Sequence, residues 1–235
     1  MQRYFSNHQN DCYFDLREDD YYHIKKVMRM KDGEHVQVVY QNVPYLCAVK
    51  FVGEEVKIQI LNEIEQKKEI IPDVTLFVPI LKEQKMDYIF QKATELGVSR
   101  FIPVIMERCM VKLDSKEEKK LTRWRRIVKE ASEQSMRTSI PIVEEIVSLK
   151  NIEEDGLKLI CSTFEKENTI KRVFQNHKNC DKMSILIGPE GGLSEQEENW
   201  LIEKNFVPIT LGPRIMRVET VPLYLMSIIN YEYME

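Results

Sequence analysis

This chain of 235 residues lacks the signatures of several common chemistries. It has no GxxxxGK[ST] and no GxGxxG after a strand, which excludes a P-loop and a dinucleotide-binding fingerprint. No GxSxG marks a serine nucleophile, and the four histidines are scattered. Cysteine is sparse. The five, at 12, 47, 109, 161 and 180, are odd in number and include no CxxC pair, which argues against a disulfide framework and against a zinc site. They read as reduced, structural residues, and no metal is expected. No apolar run is long enough to cross a bilayer. The first residues, MQRYFSNHQNDCYF, lack the apolar core of a signal peptide, so the expectation is a cytoplasmic protein without a membrane partner. A net charge of −4 gives no global argument for nucleic acid.

The chain is long enough for one large domain or two small ones, and its 43% hydrophobic content is that of an ordinary globular protein. Residues 1 to about 68 carry short, alternating β-rich stretches: HVQVVY (35–40), YLCAVKFV (45–52) and EVKIQI (55–60), with a tight turn at Val52-Gly53-Glu54. Strands this short and close predict a small barrel. DDYYHIKKVMRM (19–30) reads as a short helix with Ile24, Val27 and Met28 inward, and EIEQKKE (63–69) as a linker.

From Pro72 the pattern changes. VTLFVPIL (74–81) is a continuous apolar run, as in a strand buried on both sides. Residues 82 to 96 put Met86, Ile89, Phe90, Ala93 and Leu96 on one helical face, with Gly97 suited to the C′ position. RFIPVIM (100–106) is the next strand. Ser115 and Glu118 form a capping-box pattern, and the helix after it turns Leu121, Trp124, Val128 and Ala131 inward. The opposite face, within SKEEKKLTRWRRIVKE, is basic. It is either a solvated surface or a phosphate-tracking one. LKLICS (157–162), residues 169–176, MSILI (183–187), a helix to about 204, FVPITL (206–211) and a helix over 221–231 complete an alternation of strands and helices. That order predicts a mostly parallel α/β sheet with helices on both faces, in a second domain over 72–235.

Two loops stand out. ILIGPEGGLSEQE passes from a buried strand through Gly188-Pro189-Glu190-Gly191-Gly192 to a helix that Ser194 and Glu197 can cap. Ligands of open α/β sheets bind at this kind of strand-to-helix edge. Three glycines and a rigid proline suggest close approach to bare backbone. Glu190 would repel a phosphate, so a neutral or cationic ligand fits better. The second loop, LGPRIMRVET (211–220), breaks the last strand at Gly212-Pro213 and crowds Arg214, Arg217 and Glu219 before the final helix. Those charges are either a solvated ion-paired surface or the opposite wall of one pocket.

GPEGG before a capped helix, then LGPRIMRVET before the last helix, resembles the SPOUT superfamily of S-adenosylmethionine-dependent RNA methyltransferases. Within it, the chain is most similar to the family that methylates N3 of a uridine in 16S (small-subunit) ribosomal RNA. QKATELGVSRFIPVIMERC, RWRRIVKEASEQSMRTSIP, the N-terminal RYF and HIKKVMRMKDGEHVQV extend the resemblance over nearly the whole chain. RVET stands where the family commonly has RTET, and Val221-Pro222-Leu223-Tyr224 where it has small residues. The resemblance implies a PUA-like N-terminal barrel over 1–68, a trefoil knot in the C-terminal α/β domain, and a homodimer. It implies S-adenosyl-L-methionine as cofactor, S-adenosyl-L-homocysteine as product, and ribosomal RNA or the small subunit as partner. Ser162, Thr163, Ile187, Gly188, Pro189, Glu190, Gly191, Gly192, Leu211, Gly212, Ile215 and Met216 are the expected cofactor residues. Arg217 is expected to stabilise charge on the uracil. Glu219 is the candidate general base, or else caps the last helix or fixes Arg217. Arg3, Lys25, Arg29, Lys31, Lys82, Lys85, Gln134 and Arg137 are the expected RNA contacts. A methyltransferase acting on another RNA such as transfer RNA, a nucleotide-binding oxidoreductase and a non-catalytic RNA-binding assembly factor stay open beside this reading.

Overall fold

A computed structural model describes residues 1–65, 72–111, 117–153, 155–177 and 180–233. The chain divides into two units, Met1–Lys68 with Ser132–Ile140, and Glu69–Ala131 with Pro141–Glu235.

In the first unit, the described residues form a six-stranded sheet in the order β1-β4-β5-β6-β3-β2. The strands are β1 (Arg3–Ser6), β2 (His8–Asn10), β3 (Tyr13–Asp15), β4 (His35–Tyr40), β5 (Val43–Val52) and β6 (Glu55–Glu63). β4 and β5 are joined by Gln41 and Asn42, both at positive φ (49° and 64°), which suits the right-handed twist of a two-residue hairpin. Gly53, at φ +64°, begins the turn from β5 to β6. Alternation buries Val36 and Val38 of β4 with Val49, Val56 and Ile58 around Tyr4 and Phe14. β1 to β3 carry no comparable pattern in the sequence. β1 is held by parallel pairing with β4, Arg3 opposite Gln37.

The helix expected over 19–30 is shorter. α1 (Glu18–Tyr22) runs into a π-turn over His23–Val27, closed by Met28 N–H donating to His23 O at 2.8 Å. Ile24 is fully buried as expected, but Val27 and Met28 are 59% and 40% exposed. The wider turn rotates them off the face that a 3.6-residue period assigns them.

In the second unit the described residues form a parallel sheet in the order β10-β8-β7-β12-β11-β13, with β9 paired to β8. The strands are β7 (Asp73–Pro79), β8 (Arg100–Ile105), β9 (Ile142–Val143), β10 (Val147–Ser148), β11 (Leu157–Cys161), β12 (Lys182–Leu186) and β13 (Val207–Ile209). The helices are α2 (Glu83–Glu95), α3 (Glu117–Gln134, of which the residues from Ser132 on belong to the first unit), α4 (Ile170–Asn176), α5 (Glu195–Glu203) and α6 (Val221–Tyr233). β7 lies between β8 and β12, and its Val74, Leu76, Phe77 and Val78 are all fully buried. Met86, Ile89, Phe90 and Ala93 of α2 are buried, and Gly97 follows the helix at φ +103°. Leu121, Trp124, Val128 and Ala131 turn inward on α3, where Trp124 stacks on Phe90 with ring centroids 5.1 Å apart. The Ser115 end of the capping-box pattern and positions 66–69 of the linker lie outside the described residues.

The strand order positions the site. The chain goes from β11 to β12 on one side, then passes to β13 on the other side of β11. All three strands are parallel, so the loops that follow them leave the same edge of the sheet. In an open α/β sheet, such a reversal of direction opens a crevice at the carboxyl ends of the strands.

Candidate active site

The loop after β12 is built from its own contacts. Ile187 N–H extends the pairing to Phe77 O at 3.3 Å, and Gly192 N–H turns back to Pro189 O at 2.8 Å. A Cβ on Gly188 would stand 3.2 Å from Leu193 N, a Cβ on Gly191 would stand 3.3 Å from Arg108 Cβ, and Gly192 sits at φ +70°. Each glycine therefore has an internal reason: loop closure, room for the Arg108 stem, and left-handed backbone. The glycine content of the loop is thus accounted for by its own packing, whatever ligand it also meets. Arg108 Nη1 also donates to Gly191 O and Leu193 O, at 3.0 and 3.1 Å. The predicted capping box is present. Ser194 Oγ accepts from Glu197 N at 3.3 Å, and Glu197 Oε2 from Ser194 N at 3.0 Å. The other oxygen of Glu197 accepts from Glu107 N at 2.7 Å.

The loop after β11 is tied to this one. Ser162, buried, donates to Glu198 Oε1 of α5 at 2.6 Å and accepts from Phe164 and Glu165 N–H at 3.0 Å each. Thr163 Oγ1 lies 3.8 Å from the place of a Cβ on Gly192. Glu165 Oε1 accepts from the N–H groups of Lys166, Glu167 and Asn168. The Asn168 bond, then the Glu167 bond, do most to hold its carboxyl below the ordinary value.

In the loop after β13, Gly212 adopts φ +107° and its N–H donates to Thr210 Oγ1 at 3.3 Å. Leu211 and Met216 are half-buried, whereas Ile215 is 91% exposed. Arg217 is exposed. Its carbonyl accepts from Thr220 and Val221 N–H, so its backbone starts α6 while its side chain stays outside. Glu219 is paired with Lys85, not with Arg217: Lys85 Nζ lies 3.3 Å from Glu219 Oε2 and 3.1 Å from Glu190 Oε1. Glu219 Oε2 is buried, and the Lys85 ammonium is its neighbouring cation. The hydrogen bond to Glu190, and after it the bond and charge of Glu219, raise the Lys85 pKa.

Lys85, α5 and the near contact of Thr163 with Gly192 thus bring the expected cofactor residues of all three loops to one edge. Lys85 with its two carboxylates carries a net charge of −1, and the loop that leads to Glu219 carries the apolar Leu211, Ile215 and Met216. This donor set fits a cationic ligand with an apolar body.

The expected RNA contacts divide. Arg29, Lys31, Lys82 and Gln134 are exposed. Arg3 is not: it is 4% exposed and its guanidinium donates to Gln37 Oε1 and to the carbonyls of Met136 and Arg137, which makes it an internal tie rather than a surface cation. Arg137 is half-buried with its carbonyl in that tie. Lys25 donates to Glu54 O and lines a cavity of about 440 Å³ with Tyr13, Tyr21 and Lys57, wholly inside the first unit. Lys85 is engaged by carboxylates. On α3, Arg123 pairs with Glu83 and Asp87, Arg125 with Glu145, and Arg126 with Glu130, so three arginines of that face have carboxylate partners at the surface. Sequence reasoning gave no role to Arg108 or Glu198. Arg108 lies in the stretch QKATELGVSRFIPVIMERC, which could have drawn attention to it. Among the described residues no cluster of His, Cys, Asp and Glu is placed to hold a metal ion, and no helix is long and apolar enough to cross a membrane.

Comparison with known proteins gives this edge a family. The model of an RNA methyltransferase domain matches residues 67–230, and that of an RNA methyltransferase PUA domain matches residues 16–61. The chain belongs to the RNA methyltransferase family. Within that family, it is 33% identical to the ribosomal RNA small subunit methyltransferase E of Bacillus subtilis, covering 99% of this chain and 97% of that protein. It is also 33% identical to the protein of the same name from Aquifex aeolicus, over 97% and 99% of the two chains. The crystal structure of the Neisseria gonorrhoeae ribosomal RNA small subunit methyltransferase E, bound to S-adenosyl methionine, superposes with a TM-score of 0.88 at 29% identity, covering 99% and 98%. A Legionella pneumophila protein in complex with the cofactor SAM does so with a TM-score of 0.86 at 30% identity, covering 97% and 96%. The first unit is accordingly PUA-like, and the second is the parallel α/β domain of the family.

Proposed function

We propose that this chain methylates N3 of a uridine in small-subunit ribosomal RNA, using S-adenosylmethionine. The observation that carries the reading is the meeting of three strand-end loops at one edge, with Lys85 set between Glu190 and Glu219. Relatives named for small-subunit ribosomal RNA and neighbours solved with the cofactor support the substrate and the donor.

In this reading, residues 72–235 carry the chemistry and residues 1–68 hold RNA. Ser162, Thr163, Ile187 to Gly192, Leu211, Gly212, Ile215 and Met216 hold the cofactor, which when bound supplies a methyl group on a positive sulfonium. Leu211, Ile215 and Met216 cover the apolar body of that ligand, and the net −1 of the Lys85 trio favours its charge. Neutral uracil N3 carries a proton and is a poor nucleophile. Arg217, free of ion pairs among the described residues, offsets the negative charge that develops on O2 and O4 as that proton leaves. Glu219 is the acceptor of the proton. N3 lies on the Watson–Crick edge, so the target uridine reacts unpaired or flipped out. Arg29, Lys31, Lys82 and Gln134 are the exposed residues left to contact the RNA backbone. The working form is taken as a homodimer.

The test is transfer of labelled methyl from S-adenosylmethionine to unmodified small subunits, naked small-subunit RNA and transfer RNA, with digestion to find the labelled base. Label recovered as 3-methyluridine from the ribosomal substrates is the expected result. Label on transfer RNA alone overturns the substrate. Cofactor binding with no transfer to any of the three favours a non-catalytic assembly role.

A further inference from the structure

The lysine at position 85 stands where its own helix disfavours it. Lys82 caps α2, so Lys85 is the third helical residue, in the first turn, where exposed N–H groups make the field positive and carboxylates are preferred. A cation kept at such a position indicates a purpose outside the helix. Its ammonium reaches 3.1 Å from Glu190 Oε1 and 3.3 Å from Glu219 Oε2. Glu190 belongs to the loop after β12, and Glu219 to the turn that starts α6. Lys85 itself follows β7, the strand beside β12. The three elements share no covalent route shorter than a strand and a helix, and one side chain joins them. Without the ammonium, two carboxylates, one with a buried oxygen, would face each other across the cleft.

We infer that Lys85 is a positioning residue: it holds the Glu190 loop and the Glu219 turn in the spacing that receives the cofactor, and it is not an RNA contact. This rests on the functional reading above. The experiment is calorimetric binding of S-adenosylmethionine to the full chain and to Lys85→Met, Lys85→Arg, Glu190→Gln, Glu219→Gln and the double variants that pair Lys85→Met with each. Salt-dependent RNA binding is measured on the same proteins. Failure of the wild-type chain to bind the cofactor overturns the functional reading itself, and the inference with it. If it binds, Lys85→Met is expected to weaken binding roughly tenfold, Lys85→Arg is expected to restore most of it, and the double variants are expected to fall short of the product of the single effects. The slope of RNA affinity against salt stays that of wild type. Cofactor affinity unchanged in Lys85→Met, or purely additive effects, overturns the inference. So does a loss confined to RNA binding with a shallower salt slope, which would return Lys85 to the phosphate contacts.

Discussion

Ser162 Oγ donates a hydrogen bond to Glu198 Oε1 at 2.6 Å, and both residues are buried, at 9% and 7% exposure. The hydroxyl comes from the loop after β11 and the carboxylate from the first half of α5, so the bond ties that loop to the helix that follows the GPEGG loop. Removing the hydroxyl also deprives Phe164 and Glu165 N–H of their acceptor. Ser162→Ala is expected to destabilise the chain by roughly 1.5–3 kcal/mol, the range for a hydrogen bond to a charged group. Glu198→Gln keeps an acceptor for Ser162 and is expected to cost less. Urea denaturation midpoints with unchanged slopes check both. Equal midpoints for Ser162→Ala and wild type would remove the tie.

The five thiols should react at very different rates. Burial pushes the Cys47 and Cys161 thiols up to about 12, and burial also raises those of Cys109 and Cys180. Only the thiolate reacts, and a thiol whose pKa lies above the working pH is mostly protonated. Cys12 is exposed. A thiol reagent at pH 8 is expected to show one fast phase that Cys12→Ser abolishes. Raising the pH toward 10 speeds the rest, because their thiolate fraction grows with pH. A second fast phase that survives Cys12→Ser would contradict the raised pKa of the others.

Arg108 holds the GPEGG loop from behind through the Gly191 and Leu193 carbonyls, and its stem lies against Gly191. Arg108→Met keeps much of the stem and removes both hydrogen bonds. We expect a loss of about 1–2 kcal/mol in stability and weaker S-adenosylmethionine binding, while Gly191→Ala should displace the arginine and lower both as well. Thermal melts with and without the cofactor separate the two effects. If Arg108→Met shifts the melt and leaves cofactor affinity at the wild-type value, the strap is structural only.

Much of the second unit was legible because its strands and helices follow simple periods. The apolar run at 74–81, which forms β7 over Asp73–Pro79, the face of Met86 to Ala93 and the Ser194 capping box each appear within a residue or two of their expected places. β1 and β3 were not, since β4 and β6 pair with them from far along the chain, and β2 is held only by its pairing with β3. The turn at His23–Val27 misplaced Val27 and Met28 because hydrophobic spacing assumes 3.6 residues per turn. The site was half legible. Its loops could be found from glycine, proline and caps, but charge alone could not assign Arg3, Lys85 and the arginines of α3. Whether a cation faces RNA or a carboxylate depends on partners tens of residues away.

Arg217 offers the most direct test of the proposed chemistry. Its side chain is exposed, and its part in starting α6 is played by the backbone carbonyl, which any residue supplies. Arg217→Ala should therefore leave the melting temperature and the cofactor affinity close to wild type. Turnover should fall on the order of 10²–10³, as when one preorganised donor to a developing negative charge is removed. Arg217→Lys keeps the charge without the planar fork and should recover only part of the rate. Single-turnover methyl transfer at saturating cofactor, beside calorimetric binding, separates the alternatives. A fall in cofactor affinity as large as the fall in rate would move Arg217 from the uracil to the cofactor. An unchanged rate would leave the charge on O2 and O4 to another group, with Arg214, exposed three residues earlier, the next to substitute.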